Sequence, residues 1–141
     1  MVDQIKQARQ FMEAIPHSRA LGMKLTELAN GIAVIEMPYD ARLVGDPETG
    51  VIHGGAVSAL MDTCCGAAAM CHPSNSGGTA TIDLRIDYMR AATPGQKITA
   101  RAECYHVTKS VAFVRATAVD DDDTKPVACA TGAFTAEGRR T

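Results

Sequence analysis

The residues best able to do chemistry stand in one short run, VIHGGAVSALMD, at positions 51–62. The run places a histidine before two glycines, and a lone carboxylate follows eight residues after the first glycine. The first turn of a helix leaves backbone N–H groups without intrahelical partners, and these groups carry the positive end of the helix dipole. Because glycine lets another group approach the backbone closely, we predict that Gly54 and Gly55 open a helix. Their N–H groups would donate hydrogen bonds to an anion, or to a carbonyl oxygen that becomes negatively charged.

Asp62 is the functional candidate at the other end of this run. At about 100° per residue, Gly55, Ser58 and Asp62 fall on a narrow strip of one helix face. A carboxylate in an apolar helix is costly unless it has a partner, so either a functional role or an ordinary solvent or hydrogen-bond contact explains Asp62. For Ser58 the alternative to a functional role is a hydrogen bond from its hydroxyl to the preceding turn of the helix. For His53 the alternative is a packed or capping side chain. The run holds nothing that resembles a Ser–His–Asp triad.

The composition is typical of a globular protein and argues against several classes of partner. The chain has 141 residues, which suits a single domain over residues 1–141. A net charge of −2 gives no electrostatic footprint for nucleic acid or an anionic membrane. The first 16 residues lack the apolar core of a signal peptide, and the apolar stretch 56–70 is too short to span a bilayer. We therefore expect a cytoplasmic protein.

The cysteines and acidic residues do not predict a metal site. An odd count of five cysteines argues against a disulfide framework. A zinc site near Cys64, Cys71 and His72 would lack the usual C-x2-C pair, and the acidic run 120–123 lacks the pattern of a calcium loop and predicts a solvated turn. We expect neither a metal nor a cofactor, and buried thiols that act as small hydrophobes: Cys64, Cys65, Cys71, Cys104 and Cys129.

The first half of the chain predicts two helices and a hairpin. Apolar residues recur at spacings of three and four over residues 3–15, and Pro16 ends that helix. Two apolar runs within residues 21–38 flank Asn30-Gly31, which is a strong hairpin signal. Residues 39–52 read as a loop. Residues 54–71 are small or apolar on all sides, so they predict a helix that is buried.

The second half predicts four strands. They cover residues 79–90, 97–107, 111–119 and 127–136, and turn signals separate them. Strands grouped beside one buried helix indicate an α+β fold in which an antiparallel sheet wraps that helix.

Residues 50–62 (GVIHGGAVSALMD) resemble the signature of the hot-dog-fold thioesterases. The subgroup is the PaaI-like acyl-CoA thioesterases of phenylacetic acid degradation. Three further stretches resemble the same family: TIDLRIDYMRAATPG at 81–95, VTKSVAFVRA at 107–116 and ATGAF at 130–134. The resemblance covers about residues 20–136. It implies a long central helix wrapped by a curved antiparallel sheet, and homodimers or pairs of dimers that share their active sites.

The resemblance also implies roles for individual residues. Asp62 matches the catalytic carboxylate, which acts as general base or as nucleophile, and Gly54 matches the backbone donor that polarises the thioester carbonyl. His53 matches the histidine that shapes the site. Thr81 matches a residue near the attacking water that the partner subunit supplies. The sequence departs from the family at Pro47, where many relatives carry an Asn or Gln.

The implied substrate is an acyl-CoA, with an acyl or aryl-acyl group, that is hydrolysed to free acid and coenzyme A. Gly55 and Ser58 are candidate substrate contacts on the helix. Arg90, Lys109 and Ser110 are candidate contacts to coenzyme A, with an ordinary solvated turn charge as the alternative. The other functions that we consider are a hydratase or dehydratase on the same fold, and a non-catalytic acyl-CoA binder or sensor.

Overall fold

A long buried helix forms the centre of the computed structural model, which describes residues 2–138, with side chains from residue 6 onward. This helix, α3, spans Gly54–Met70 and ends one residue before the predicted boundary. Nearly all its residues are apolar, and six of them have no exposed surface: Leu60, Met61, Cys64, Cys65, Ala68 and Ala69. The prediction of a buried helix is confirmed. Within the described residues, no helix combines the length and the hydropathy that crossing a membrane needs.

Six antiparallel strands form the sheet that wraps α3. Their order is β1-β2-β6-β7-β8-β5, so β5 crosses over to pair with β8 at one edge while β1 forms the other edge. The α+β prediction is confirmed, and so are the four strands of the second half. The strands are β1 Lys24–Ala29, β2 Ile32–Met37, β5 Thr81–Tyr88, β6 Ile98–Val107, β7 Val111–Val119 and β8 Ala128–Thr135.

The hairpin between β1 and β2 turns at the predicted Asn30-Gly31 pair. Both residues have positive φ, 51° and 81°, which is the conformation that a tight two-residue hairpin requires. Gly31 also packs tightly, since a Cβ there would lie 2.9 Å from His72 Cδ2. The turn fixes the register of β2, which therefore directs its buried side chains towards α3: Ala33, Ile35 and Met37.

The structure differs from the predicted elements in two places. Pro16 ends helix α1 (Val2–Ala14) as expected, but it also begins a second short helix, α2 (Pro16–Ala20), because proline is well suited to the first turn of a helix. The predicted loop 39–52 contains a 3-10 turn (Ala41–Leu43) and a small ribbon of β3 (Val44–Asp46) and β4 (Val51–Ile52).

The cysteines are free thiols, as predicted. Cys64, Cys65 and Cys104 are buried, and Cys71 and Cys129 are half-buried. Burial raises the pKa of the Cys64 thiol to about 12, so this side chain stays protonated and apolar. In the described part of the chain, no group of three or more His, Cys, Asp or Glu side chains is arranged to hold a metal ion.

The prediction of a fully solvated turn at residues 120–123 is wrong at its first position. The Asp120 carboxylate is buried and accepts hydrogen bonds from Arg90 Nη1 (2.7 Å), Arg90 Nη2 (2.6 Å) and the Thr93 N–H (3.0 Å). The Arg90 guanidinium beside it holds the pKa of this carboxyl well below its usual range. The Arg90–Asp120 ion pair links the turn after β7 to the segment that follows β5.

This ion pair predicts a pH dependence of stability. The native carboxyl stays ionised at pH values where the unfolded chain binds a proton, so stability should fall as the pH drops below about 4. Asp120→Asn should lower the free energy of unfolding by about 1–2 kcal/mol at pH 7 and flatten its slope between pH 4 and pH 2. Urea unfolding of both proteins across this range measures the effect. The exposed neighbour Asp121 supplies the control: Asp121→Asn should behave as the wild type, and equal effects of the two variants would contradict the assignment.

Candidate active site

His53 is held at the start of α3 from two sides. Its N–H donates to the Leu43 carbonyl (2.8 Å), and Gly45 lies so close that a Cβ there would be 2.8 Å from His53 Cα. As the N-cap residue, His53 accepts the Gly55 N–H at Nδ1 (2.8 Å) and the Ala56 N–H at its carbonyl (3.0 Å). Because Nδ1 is an acceptor here, a neutral imidazole carries its proton on Nε2. The structure thus places His53 in the capping role that was the alternative at the sequence level.

The capping bonds distinguish the two glycines. The N–H of Gly55 is taken by His53, whereas the N–H of Gly54 has no acceptor within the described part of the chain. Gly54 is exposed and is the first residue of α3, so its N–H is a free donor at the positive end of the helix. This geometry suits Gly54 as a donor to a developing oxyanion. It makes Gly55 a poor candidate for the same task.

Tyr88 is a site residue that the sequence analysis did not single out. At the end of β5, its hydroxyl donates to the Gly54 carbonyl (2.9 Å) and makes a very short hydrogen bond with Ser58 Oγ. Since the Tyr88 hydroxyl has one proton and gives it to Gly54, Ser58 must donate to the tyrosine oxygen. Ser58 therefore bonds across to β5. Only the tertiary contact between β5 and α3 reveals this network, because Tyr88 is 34 residues from Gly54 in the chain.

Asp62 is half-buried on the same face of α3, two turns beyond Gly54. Its Oδ1 accepts a hydrogen bond of 2.6 Å from Thr81 Oγ1 at the start of β5. Both residues belong to one chain, and the expectation that Thr81 lies near the attacking water of a site shared with a partner subunit stays a prediction. β5 crosses α3 and brings Thr81 to Asp62 without help from a second copy. The hydrogen bond orients the carboxylate and leaves Oδ2 for another partner.

Gly54 and Asp62 cannot act on one small group within a single chain. Eight residues of helix separate them, and at 1.5 Å per residue this is about 12 Å. A thioester carbonyl and the water that attacks it lie within hydrogen-bond reach of their partners, about 3 Å. The donor and the carboxylate of one helix therefore belong to two different sites, or to one site that a second copy completes.

A largely apolar cavity of about 380 Å³ opens beside Asp62 and Thr81. It lies between α1 and α3, and β1 and the start of β5 contribute to its walls. A second, smaller hollow of about 290 Å³ adjoins His53 and Gly55 and reaches Arg42, whose guanidinium is paired with Asp40 (2.7 Å). The carboxylate of Asp62 thus stands at the border between solvent and an apolar space.

The predicted coenzyme A contacts do not form one cluster within the chain. The Arg90 guanidinium donates hydrogen bonds to Asp120 and to the Lys125 carbonyl (2.8 Å), so it stabilises the turn after β7. Lys109 and Ser110 are exposed in the turn between β6 and β7, at the end of the sheet where Thr81 begins β5. Arg90 lies beyond the opposite end of that strand, since β5 extends for about 23 Å from Thr81 to Tyr88.

The loop that carries Pro47 is closed on itself. The Asp46 carboxylate accepts the Glu48 N–H (3.0 Å) and the Thr49 hydroxyl (2.9 Å), and the Tyr39 hydroxyl donates to the Gly50 carbonyl (2.7 Å). Pro47 offers neither a side-chain donor nor an N–H. The amide contact that this position supplies in many relatives of the resembled family therefore has no equivalent at residue 47.

Comparison with known proteins identifies the family of this chain. Residues 49–127, more than half of the chain, match the thioesterase superfamily. The chain is 31% identical over 124 residues to human acyl-coenzyme A thioesterase 13, which covers 87% of this chain and 81% of that protein. It is 28% identical over 118 residues to the medium/long-chain acyl-CoA thioesterase YigI of Escherichia coli strain K12, covering 74% and 76% respectively.

Solved structures share the fold. A Pseudomonas aeruginosa protein is 40% identical, with a TM-score of 0.81 over 93% of this chain and 97% of that one. The PaaI protein from the phenylacetic acid degradation operon of Escherichia coli superimposes with a TM-score of 0.83 over 96% of this chain and 95% of that one, at 24% identity. The helix wrapped by this sheet is therefore the hot-dog fold, as the sequence resemblance implied.

The capping role of His53 can be tested through stability. His53→Ala removes the acceptor of the Gly55 N–H and should lower the free energy of unfolding by about 1 kcal/mol, as for other N-cap deletions. His53→Asn should recover most of this loss, because asparagine is a favoured N-cap. Denaturant unfolding of the three proteins measures the difference. If alanine and asparagine destabilise the protein equally, the imidazole does not act as a cap.

Proposed function

This chain belongs to the thioesterase superfamily, and we propose that it hydrolyses the thioester bond of an acyl-CoA. The observation that carries the proposal is the Asp62–Thr81 pair at the mouth of an apolar cavity. A hydrolase for acyl thioesters needs a group that activates water and a place for the acyl chain, and this pair and cavity supply both. Relatives named as acyl-CoA thioesterases support coenzyme A as the thiol.

The proposed chemistry uses the Asp62 carboxylate and the Gly54 N–H at the N-terminus of α3. Thr81 holds Oδ1 of Asp62, so Oδ2 takes a proton from water while the water oxygen attacks the thioester carbon. The oxygen of the tetrahedral intermediate accepts the Gly54 N–H, and the helix dipole favours its negative charge. Collapse of the intermediate breaks the C–S bond, and the thiolate recovers the proton from Asp62. The alternative is direct attack by Asp62, which forms an anhydride that water then hydrolyses.

The active unit in this proposal is a homodimer. Gly54 and Asp62 lie about 12 Å apart along one helix, so the Gly54 of one copy serves the Asp62 of the other. The edge strand β5 supports such pairing, because an unpaired edge is a template for another strand and β5 and the residue after it expose apolar side chains: Ile82 (57%), Tyr88 (51%) and Met89 (59%). In the dimer Lys109 and Ser110 remain candidates for the phosphates of coenzyme A.

A non-catalytic acyl-CoA binder is the second candidate, and Pro47 is the observation that favours it. A site without an amide at this position lacks one polar contact to the thioester or to water. The same cavity and the same Gly54 donor would still hold an acyl-CoA. Release of the free thiol separates the two functions.

Asp62→Asn should lower kcat by about 10²–10⁴-fold, the usual loss on removing a general base, and leave folding intact. The measurement is thiol release from a panel of acyl-CoAs with a disulfide reagent, with a blank for the native cysteines. The exposed Asp83 on β5 supplies the matched control, and Asp83→Asn should keep full activity. Turnover by Asp62→Asn within a few-fold of the wild type would remove Asp62 from the mechanism. Binding without turnover by the wild type would favour the binder.

Complementation between two inactive variants tests the shared site. Gly54→Pro removes the free N–H, and the helix tolerates it because proline suits its first position and His53 already has an extended backbone (φ −58°, ψ 134°). Co-expressed with Asp62→Asn, it should give about a quarter of wild-type activity, since half of randomly paired dimers are mixed and each has one intact site. Activity that stays at the level of the separate variants would place both groups in one chain.

A further inference from the structure

Gly66 opens the space beside the carboxylate. It lies four residues after Asp62, and Met70 follows four residues later, so the three occupy one face of α3 and line the 380 Å³ cavity. A Cβ at Gly66 would meet only ordinary contacts, 3.9 Å from Phe134 Cε1 and 4.0 Å from Thr79 Cγ2. Glycine weakens the interior of a helix relative to alanine, and neither backbone conformation nor packing requires it here. The absence of a side chain at Gly66 leaves space in the cavity.

Helix α1 forms the opposite wall of this cavity. Its residues Ala8, Phe11 and Met12 line the space, and Ile15 lines it just beyond the helix end. The helix packs on β1 and α2, and Arg9 Nε donates to the Leu25 carbonyl (2.7 Å). The Phe11 side chain is 63% exposed although it is large and apolar, so it has a surface free for another apolar group. α1 also lies outside residues 49–127, the stretch that matches the superfamily.

Most of the cavity wall is apolar, and its polar residues are Asp62, His17, Ser18 and three threonines. Each threonine hydroxyl already has a partner: that of Thr63 donates to the Ala59 carbonyl (2.8 Å), that of Thr79 to the Thr135 carbonyl (2.7 Å) and that of Thr81 to Asp62 (2.6 Å). Met12 and Met70 have unbranched side chains that adapt to the shape of a flexible guest. An apolar cavity of about 150 Å³ already accommodates benzene. A cavity of about 380 Å³ therefore has room for a much larger group than acetyl.

We propose that the cavity between α1 and α3 holds the acyl chain of the substrate, that this chain is a linear aliphatic group of medium length, and that Gly66 and Ala8 set its limit. The proposal rests on the proposed function, because the reacting carbonyl must lie at Asp62 while the chain extends past Gly66. Selectivity then comes from both walls of the cavity, Gly66 on α3 and Ala8 on α1. Catalysis comes from α3 and β5.

Filling the cavity from either wall tests the proposal. Gly66→Leu fills it from α3 and Ala8→Leu fills it from α1. Gln7→Leu adds the same side chain to an exposed position of α1 outside the cavity and is the matched control. The readout is the ratio of kcat/KM for octanoyl-CoA to that for butanoyl-CoA. Each methylene that loses its apolar site costs about fourfold, so the displacement of three methylenes predicts a fall in the ratio of about sixtyfold in both filled variants and none in the control.

The outcomes separate this inference from the proposed function. If all three variants keep the wild-type ratio while they fold and turn over, the chain lies elsewhere and the inference is overturned, although the protein remains a thioesterase. If Gly66→Leu does not fold, Ala8→Leu decides alone, since it changes a half-buried position on the surface helix. If the wild type releases thiol from neither substrate but does so from another acyl-CoA of the panel, the inference is overturned. If it releases thiol from no acyl-CoA, the proposed function fails. Calorimetric binding of octanoyl-CoA then decides the inference: weaker binding by Ala8→Leu than by Gln7→Leu supports it, and equal binding overturns it.

Discussion

Most of this structure depends on covering one apolar helix. An α-helix with no polar face must be enclosed by other elements, and α3 meets this requirement against β2, β6 and β7. The inner face of the sheet allows a close approach because many of its buried side chains are small, and Cys64 Sγ comes within 3.3 Å of the Ala33 carbonyl and 3.4 Å of the Ala100 carbonyl. The sheet therefore leaves a single strip of α3 accessible. That strip carries the polar side chains Ser58 and Asp62.

One edge strand organises the accessible strip from end to end. β5 begins with Thr81, which holds the Asp62 carboxylate, and ends with Tyr88, which bonds to the Gly54 carbonyl and to Ser58. Because the same strand touches both ends of the strip, a shift of β5 would move the base and the helix N-terminus together. Among the described residues, no strand pairs with its outer edge, so the strand that holds both ends of the site also offers an edge to a second copy.

The catalytic groups and one wall of the apolar cavity come from different parts of the chain. The helix N-terminus, the carboxylate and their β5 partners all fall within the stretch that matches the superfamily. The wall opposite Gly66 comes from α1, outside that stretch. A substitution on α1 changes the space available to a guest without touching the hydrogen bonds of Asp62 or Gly54. This arrangement allows one catalytic framework to serve different apolar groups.

The sequence by itself determined the features that depend on local pattern. Continuous apolar character fixed the buried α3, Asn30-Gly31 fixed the hairpin because both positions need positive φ, and alternation with turn signals fixed the four later strands. The run from His53 to Asp62 identified the candidate site because glycines and a lone carboxylate are unfavourable in an apolar helix unless they have a role there. The dual role of Pro16 was missed, since a proline that ends one helix can begin the next.

Only the tertiary structure decided which distant groups meet. It placed Thr81 on Asp62 within one chain and brought Tyr88 to Gly54 across 34 residues. It also turned Arg90 towards the buried Asp120. The physical reason is the same in each case. Hydrogen bonds between elements depend on how β5 crosses α3 and on where turns end, and these follow from the packing of the whole sheet around the helix.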